Sequence, residues 1–148
     1  VSPEALLAAN INPHTGLATD YLNHYNEVAM LIGMLSDMPE VAEDVLAWGP
    51  LGYAEHFTQT GFRGRDLAIA AYENAAPELL MRFQASCDTI EAEIAHVQAR
   101  LSKGLPPESG TAAGLYDLIA LAGAIINEGL DSPTSFAAEQ ALVDSLFD

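Results

Sequence analysis

The stretch Asp20-Tyr21-Leu22-Asn23-His24-Tyr25-Asn26-Glu27 holds the densest chemistry in this chain. Wound as a helix at about 100° per residue, Asp20, His24 and Glu27 fall within roughly 60° of one another, at the edge of an apolar stripe. An edge position is partly desolvated, which is what makes a ligand cluster or a general base useful. Imidazole with carboxylates one turn away suits a divalent zinc, iron or manganese ion. Three groups on one helix cannot enclose an ion, so a second segment must contribute. Glu55-His56 offers it, with His56 set between Ala54 and Phe57. His14, in the loop before the same helix, is within reach of either. The expected metal centre is therefore His24, Glu27 and His56, with Asp20, His14 or Glu55 as further ligands or orienting groups. The competing reading makes His24 and His56 ordinary half-buried histidines, bonded to carboxylates or Asn side chains.

Three tyrosines, Tyr21, Tyr25 and Tyr53, give a second constellation. Lining one pocket, they would make it aromatic and polar at once, suited to a small organic ligand. Arg63 and Arg65 flank a glycine in Thr60-Gly61-Phe62-Arg63-Gly64-Arg65-Asp66. Guanidinium groups and loop amides could bind a carboxylate or phosphate there, although the segment matches no phosphate-loop pattern. The opposing reading pairs both arginines with nearby acids. Glu93 and His96 have the Glu-x-x-His spacing of di-iron bundles, but that pattern needs the motif twice and facing inward. Here Glu93 points roughly 80° and His96 roughly 140° away from the apolar seam, which makes them an outward charge ladder with Arg100. Cys87 sits in that seam between Phe83 and Ile90, as an inert small hydrophobe. No Gly-x-Ser-x-Gly elbow is present, so a standard serine hydrolase is not indicated, and whether the chain is an enzyme is left open.

The elements that must position these groups are helices. Ser2-Pro3-Glu4 caps and opens a short helix over 2–9, with Pro at its first position, and 10–16 is a connector. A long helix is expected over 17–35, with Tyr21, Tyr25, Val28, Ile32 and Leu35 on one side. Asp37 is expected to cap a helix over 39–48. Gly49-Pro50 breaks it, a short helix carries 53–59, a loop covers 61–64, and 65–72 is helical again. Pro77 opens the clearest helix, over 77–102, whose Phe83, Cys87, Ile90, Ile94, Val97 and Leu101 form a buried seam. The 104–110 segment, with Gly104 and Pro106-Pro107, reads as a mobile loop. Helices over 111–128 and from Ser132-Pro133 to 147 complete the chain. Nothing alternates with period two, and the fold class is all-α: a single compact bundle of about five to seven helices spanning 1–148.

Length and charge bound the function. At 148 residues and 50% hydrophobic residues, such a chain buries about two-thirds of its surface, so it is not a disordered acidic chain. A single cysteine excludes an internal disulfide and a multi-thiolate zinc site. Five Lys+Arg against 21 Asp+Glu give −16, a charge that argues against nucleic acid and anionic membranes. The acids crowd the flanks. Residues 1–62 and 104–148 hold no Lys or Arg. Neither a secretory signal nor a membrane span is recognisable: the most apolar stretch, 115–126, is too short and contains Asp117. A cytoplasmic location is the expectation. The 111–128 helix is apolar nearly all round, so it is either central or shared with a second subunit. The leading functional reading is a binding or interaction module that self-associates, as a dimer, through this helix. The alternatives are a metal- or small-molecule-binding bundle centred on the histidines, and an acidic regulator that covers a basic protein partner.

Overall fold

The computed structural model describes residues 2–128, and all regular structure among them is helical. The expected last helix, from 132 to 147, lies outside the described residues. Helix α1 is Pro3–Ala8, with the Ser2 hydroxyl accepting from the Ala5 amide at 3.2 Å. A 3-10 turn, Thr19–Leu22, leads into α2, Asn23–Met34. A second 3-10 turn, Pro39–Val41, leads into α3, Ala42–Ala47. Helices α4, Tyr53–Gln59, and α5, Arg65–Glu73, precede the long α6, Pro77–Ser102, and α7, Thr111–Ile126. No helix among the described residues is long and apolar enough to cross a membrane.

Helices α2, α6 and α7 form the frame, because each presents an apolar stripe at helical spacing. From α6 come Leu79, Phe83, Cys87, Ile90, Ile94 and Val97, all buried. From α2 come His24, Tyr25, Val28, Ala29 and Ile32, and from α7 come Leu115, Ile119, Ala122 and Ile126. Helix α3 leans on α2 and α6, and the Gln98 side-chain amide on α6 ties off its end by donating to the Val45 and Trp48 carbonyls, each at 2.9 Å. Helix α7 is not buried all round. Its Tyr116 and Leu121 stay 45% and 61% exposed, on the side away from α2 and α6.

The expected helix over 17–35 begins later than its pattern suggests. Leu17 and Ala18 are buried, and Ala18 is extended with its amide bonded to the Tyr53 hydroxyl at 2.8 Å. Ala18 is held extended and the four residues after it wind as the 3-10 turn, so α-geometry starts at Asn23. Asp37 does not cap the next segment; Met38 stands at that position without a side-chain bond. The 104–110 segment is tied to α6: Arg100 Nε donates to the Pro106 carbonyl at 2.7 Å, and His96 and Arg100 meet Glu108 at 3.2 and 3.9 Å.

The connector before the first 3-10 turn is closed by its own bonds. Asn12 Oδ1 accepts from the amides of His14 and Thr15, and the Gly16 amide donates to the Asn12 carbonyl at 2.7 Å. Thr15 Oγ1 donates to the Ile126 carbonyl at 2.7 Å, which satisfies one open carbonyl at the end of α7. Gly16 adopts φ +77°, and a Cβ there would stand 3.0 Å from the Ala71 carbonyl oxygen. Gly16→Ala therefore should destabilise the fold by about 1–3 kcal/mol, read as a lower urea midpoint. Gly33→Ala, within α2 and with its nearest neighbour at 3.6 Å, should be neutral or stabilising by up to about 1 kcal/mol.

Candidate functional site

Two histidines meet inside the bundle, one from α2 and one from α4. His24 is 7% exposed and His56 is 2% exposed, and their ring centres stand 5.5 Å apart. His24 Nδ1 lies 2.5 Å from the Tyr21 carbonyl oxygen. A carbonyl can only accept, so Nδ1 carries the proton and Nε2 is a bare lone pair. His56 Nε2 donates to Asp20 Oδ2 at 3.0 Å, and in the neutral ring that leaves Nδ1 as the unprotonated nitrogen. Both bare nitrogens, His24 Nε2 and His56 Nδ1, are buried without a protein hydrogen-bond partner. A buried polar atom left this way costs about 1–3 kcal/mol, so the pair is an expense the fold carries. Burial pushes the His24 imidazole down to about 4, with the Tyr21 carbonyl opposing and His56 adding to the effect. His24 is thus a neutral imidazole at physiological pH. Trp48 stacks on its ring at 5.9 Å and donates from Nε1 to the His24 carbonyl at 3.1 Å.

A second arrangement shares Tyr21 with the first. The Tyr25 hydroxyl donates to Glu91 Oε2 in a short bond. The Tyr21 hydroxyl donates to the Leu51 carbonyl at 2.7 Å and stands 3.4 Å from the Tyr25 hydroxyl. Burial raises the pKa of Tyr21, Tyr25 and Tyr53, so all three stay neutral phenols. The same burial pushes the Cys87 thiol up to about 12, consistent with an inert core residue. Above this network lies a cleft of about 220 Å³, walled by Tyr21, Tyr53, Tyr72 and Phe83, with Gln84 and Glu91 on its α6 side. Tyr53 and Tyr72 stack at 4.1 Å, and Tyr21 lies 5.0 Å from Tyr53. No basic side chain lines the cleft. A larger cleft of about 350 Å³ beside α5 is lined mainly by Leu6, Leu67 and alanines, with Asn74, His14 and Thr15 as its polar side chains.

The structure brings together part of what the sequence suggests. His24 and His56 meet, and Asp20 orients His56, but the set does not close around an ion. Glu27 is exposed: the buried face of α2 runs through residues 24, 25, 28, 29 and 32, and Glu27 lies about 130° from its centre. Glu55 is exposed and its carboxylate accepts from the Gly52 amide at 3.2 Å, serving the start of α4. His14 is exposed and lines clefts shared with α5 and α6, away from His24. Among the described residues, no group of three or more His, Cys, Asp or Glu side chains stands placed to hold a metal.

The expected ligand set divides in the same way. Tyr21 and Tyr53 line the cleft, and Tyr25 stands behind it, holding Glu91. Arg63 and Arg65 are exposed elsewhere, Arg65 pairing loosely with Asp66 at 3.9 Å. Glu91, Tyr72 and Gln84 belong to the site without having been singled out. Glu91 had a signal: it follows the buried Cys87 by one helical turn, at the rim of the α6 seam.

Comparison with protein-family models, with curated proteins and with solved structures gives no match to this chain. Any assignment must therefore come from the site itself.

The depressed His24 value has a definite sign in stability. The unfolded imidazole takes a proton near pH 6.5 and the folded one near 4, so the unfolded chain binds more protons between those limits. Stability linked to His24 is complete above pH 6.5 and is lost as pH falls towards 4. His24→Asn retains a donor for the Tyr21 carbonyl but cannot titrate. The difference in unfolding free energy between wild-type protein and this variant should shift in favour of the variant as pH falls through that window, measured by urea denaturation at several pH values.

Proposed function

We propose that the protein is a small-molecule-binding helical bundle whose cleft at Tyr21, Tyr53, Tyr72, Phe83 and Glu91 takes a small organic cation, an amine or quaternary ammonium. The observation that carries this reading is the Glu91 carboxylate, held in place by Tyr25 at the wall of an aromatic cleft that contains no base. Aromatic faces attract a cation through the ring quadrupole, by about 0.5–2 kcal/mol per contact. A carboxylate adds charge and, for an amine, a charge-assisted hydrogen bond. Because Tyr25 already occupies Oε2, Glu91 is oriented before a ligand arrives, and less ordering entropy is spent on binding. Charge supports the choice. A chain at −16 raises the local concentration of cations and repels anions. The volume of about 220 Å³ matches a ligand of few heavy atoms.

Choline and its uncharged carbon isostere 3,3-dimethylbutanol separate charge from shape. Titration calorimetry should show choline binding and the isostere binding at least about tenfold more weakly, a difference of about 1.4 kcal/mol. Glu91→Gln should weaken choline by about tenfold or more while leaving the isostere unchanged. Equal affinity for the two compounds, or choline binding untouched by Glu91→Gln, would refute the reading.

A second reading, self-association through α7, is favoured by one observation. The open face of that helix carries Ala113, Tyr116, Ala120, Leu121 and Ala124, all exposed, with Asp117 its charged residue. Small residues there would let the same helix of a second copy approach closely. At −16 per chain, association would be opposed at low salt and favoured as screening increases. Light scattering at low and high salt should show mass rising above 15.7 kDa with salt, and Leu121→Glu should hold the protein at the monomer mass. A monomer under both conditions ends this reading.

A further inference from the structure

The α6 side of the tyrosine cleft offers acceptors and keeps its donors engaged. The Tyr21 hydroxyl gives its proton to the Leu51 carbonyl, and the Tyr25 hydroxyl gives its own to Glu91. The Gly52 amide is taken by Glu55, and Pro50 has no N–H to offer. Gln84 turns its amide nitrogen to Asp88 Oδ1 at 2.9 Å. On α6, what remains unengaged among the described residues is Glu91 Oε1 and the Gln84 carbonyl oxygen, both acceptors. Across the cleft, the Tyr72 hydroxyl can accept as readily as donate. A ligand that suits this lining brings N–H groups of its own. A quaternary ammonium has none, whereas a primary ammonium has three.

The acceptors stand at two stations. Gln84, Asp88 and Glu91 fall within about 60° of one another around α6. Gln84 and Glu91 are two turns apart, about 10.5 Å along the helix. Asp88 lies between them in sequence, exposed, with its carboxylate held by Gln84. The remaining wall is mostly ring surface, from Tyr21, Tyr53, Tyr72 and Phe83, which suits methylene groups. Arg82 does not compete for these acceptors. It lies more than about 100° round the helix from all three and is forked onto Glu128 at 2.9 and 2.6 Å.

Resting on the cation reading of this cleft, we propose that its ligand is a linear aliphatic diamine of about four to six carbons, one ammonium on Glu91 and the other on the Gln84–Asp88 pair. The test titrates 1,4-diaminobutane, n-butylamine and choline into the full chain by calorimetry. Salt at about 0.15 M screens diffuse attraction to the −16 charge. One diamine per chain is expected, held about tenfold or more tighter than n-butylamine. Asp88→Asn should bring the diamine down to the butylamine level and leave butylamine and choline unchanged. Asp66→Asn makes the same charge change at a carboxylate 99% exposed on α5, and should alter nothing. Both are isosteric changes at exposed positions, and circular dichroism checks that each variant folds. Diamine and butylamine bound alike, or an equal loss from Asp66→Asn, would overturn the diamine assignment while choline binding keeps the cation reading standing. Diamine binding that Glu91→Gln does not weaken would also overturn it. Failure of all three compounds to bind would overturn both.

Discussion

The 3-10 turn Thr19–Leu22 is the constraint on which the centre of this protein depends. Four residues in that tighter winding, three per turn instead of 3.6, place three consecutive functions of Asp20 and Tyr21 where an α-helix would not. The Asp20 carboxylate reaches His56 on α4, the Tyr21 carbonyl reaches His24 on α2, and the Tyr21 ring forms a wall of the cleft. The turn itself is held from outside: the Tyr53 hydroxyl takes the Ala18 amide just before it, and Leu51 takes the Tyr21 hydroxyl. The segment around Gly49-Pro50, which reads in the sequence as a mere helix breaker, is what presents Leu51 and Tyr53 to that turn.

This arrangement explains how a strongly acidic chain places polar groups inside without collapsing its core. Among the described residues, most carboxylates face water, where charge is cheap. The two that enter the site, Asp20 and Glu91, are each met by a side-chain donor, an imidazole N–H and a phenol O–H. Neither is paired with a Lys or Arg, so neither brings a second buried charge that would itself need desolvation. Phenols whose pKa is raised by burial are suited to this: they donate to a carboxylate and stay uncharged doing so.

Helix α6 was legible almost to the residue, because one seam of Phe83, Cys87, Ile90, Ile94 and Val97 repeats by four and three and Pro77 marks its start. The meeting of His24 with His56 was legible too, since both flank apolar positions. The misplaced residues have separate causes. A uniform 100° per residue does not carry back through Asp20, because the 3-10 turn breaks that register and sends its carboxylate to His56, whereas Glu27 lies on α2 itself and is turned about 130° from the centre of its buried face. Nothing local distinguishes the turn; the Tyr53 and Leu51 bonds that impose it come from about thirty residues away. Glu55 was read as a ligand because it precedes His56, whereas the Gly52 amide at the start of α4 needed an acceptor and took it. Arg63 and Arg65 suggest a separate carboxylate or phosphate site because they flank a glycine in a loop, and a loop gives no register from which to tell where they point.

Consistency between local and global preference fails at one place in the described chain more than elsewhere. In the frame helices the apolar stripes, the proline start of α6 and the threonine bond closing α7 all agree with the packing. Around His24 and His56 they do not: two polar rings lie in the core and each leaves a nitrogen unmatched. A leucine or phenylalanine at position 24 would remove its unmatched nitrogen, and the aromatic neighbours Tyr21, Tyr25 and Trp48 would pack against it. A sequence that agrees with its fold in the frame helices departs from that agreement here, at two oriented polar rings. Both outer bonds run the same way: Asp20 and the Tyr21 carbonyl each accept from one ring nitrogen, and the other nitrogen of each ring is left unmatched in the core.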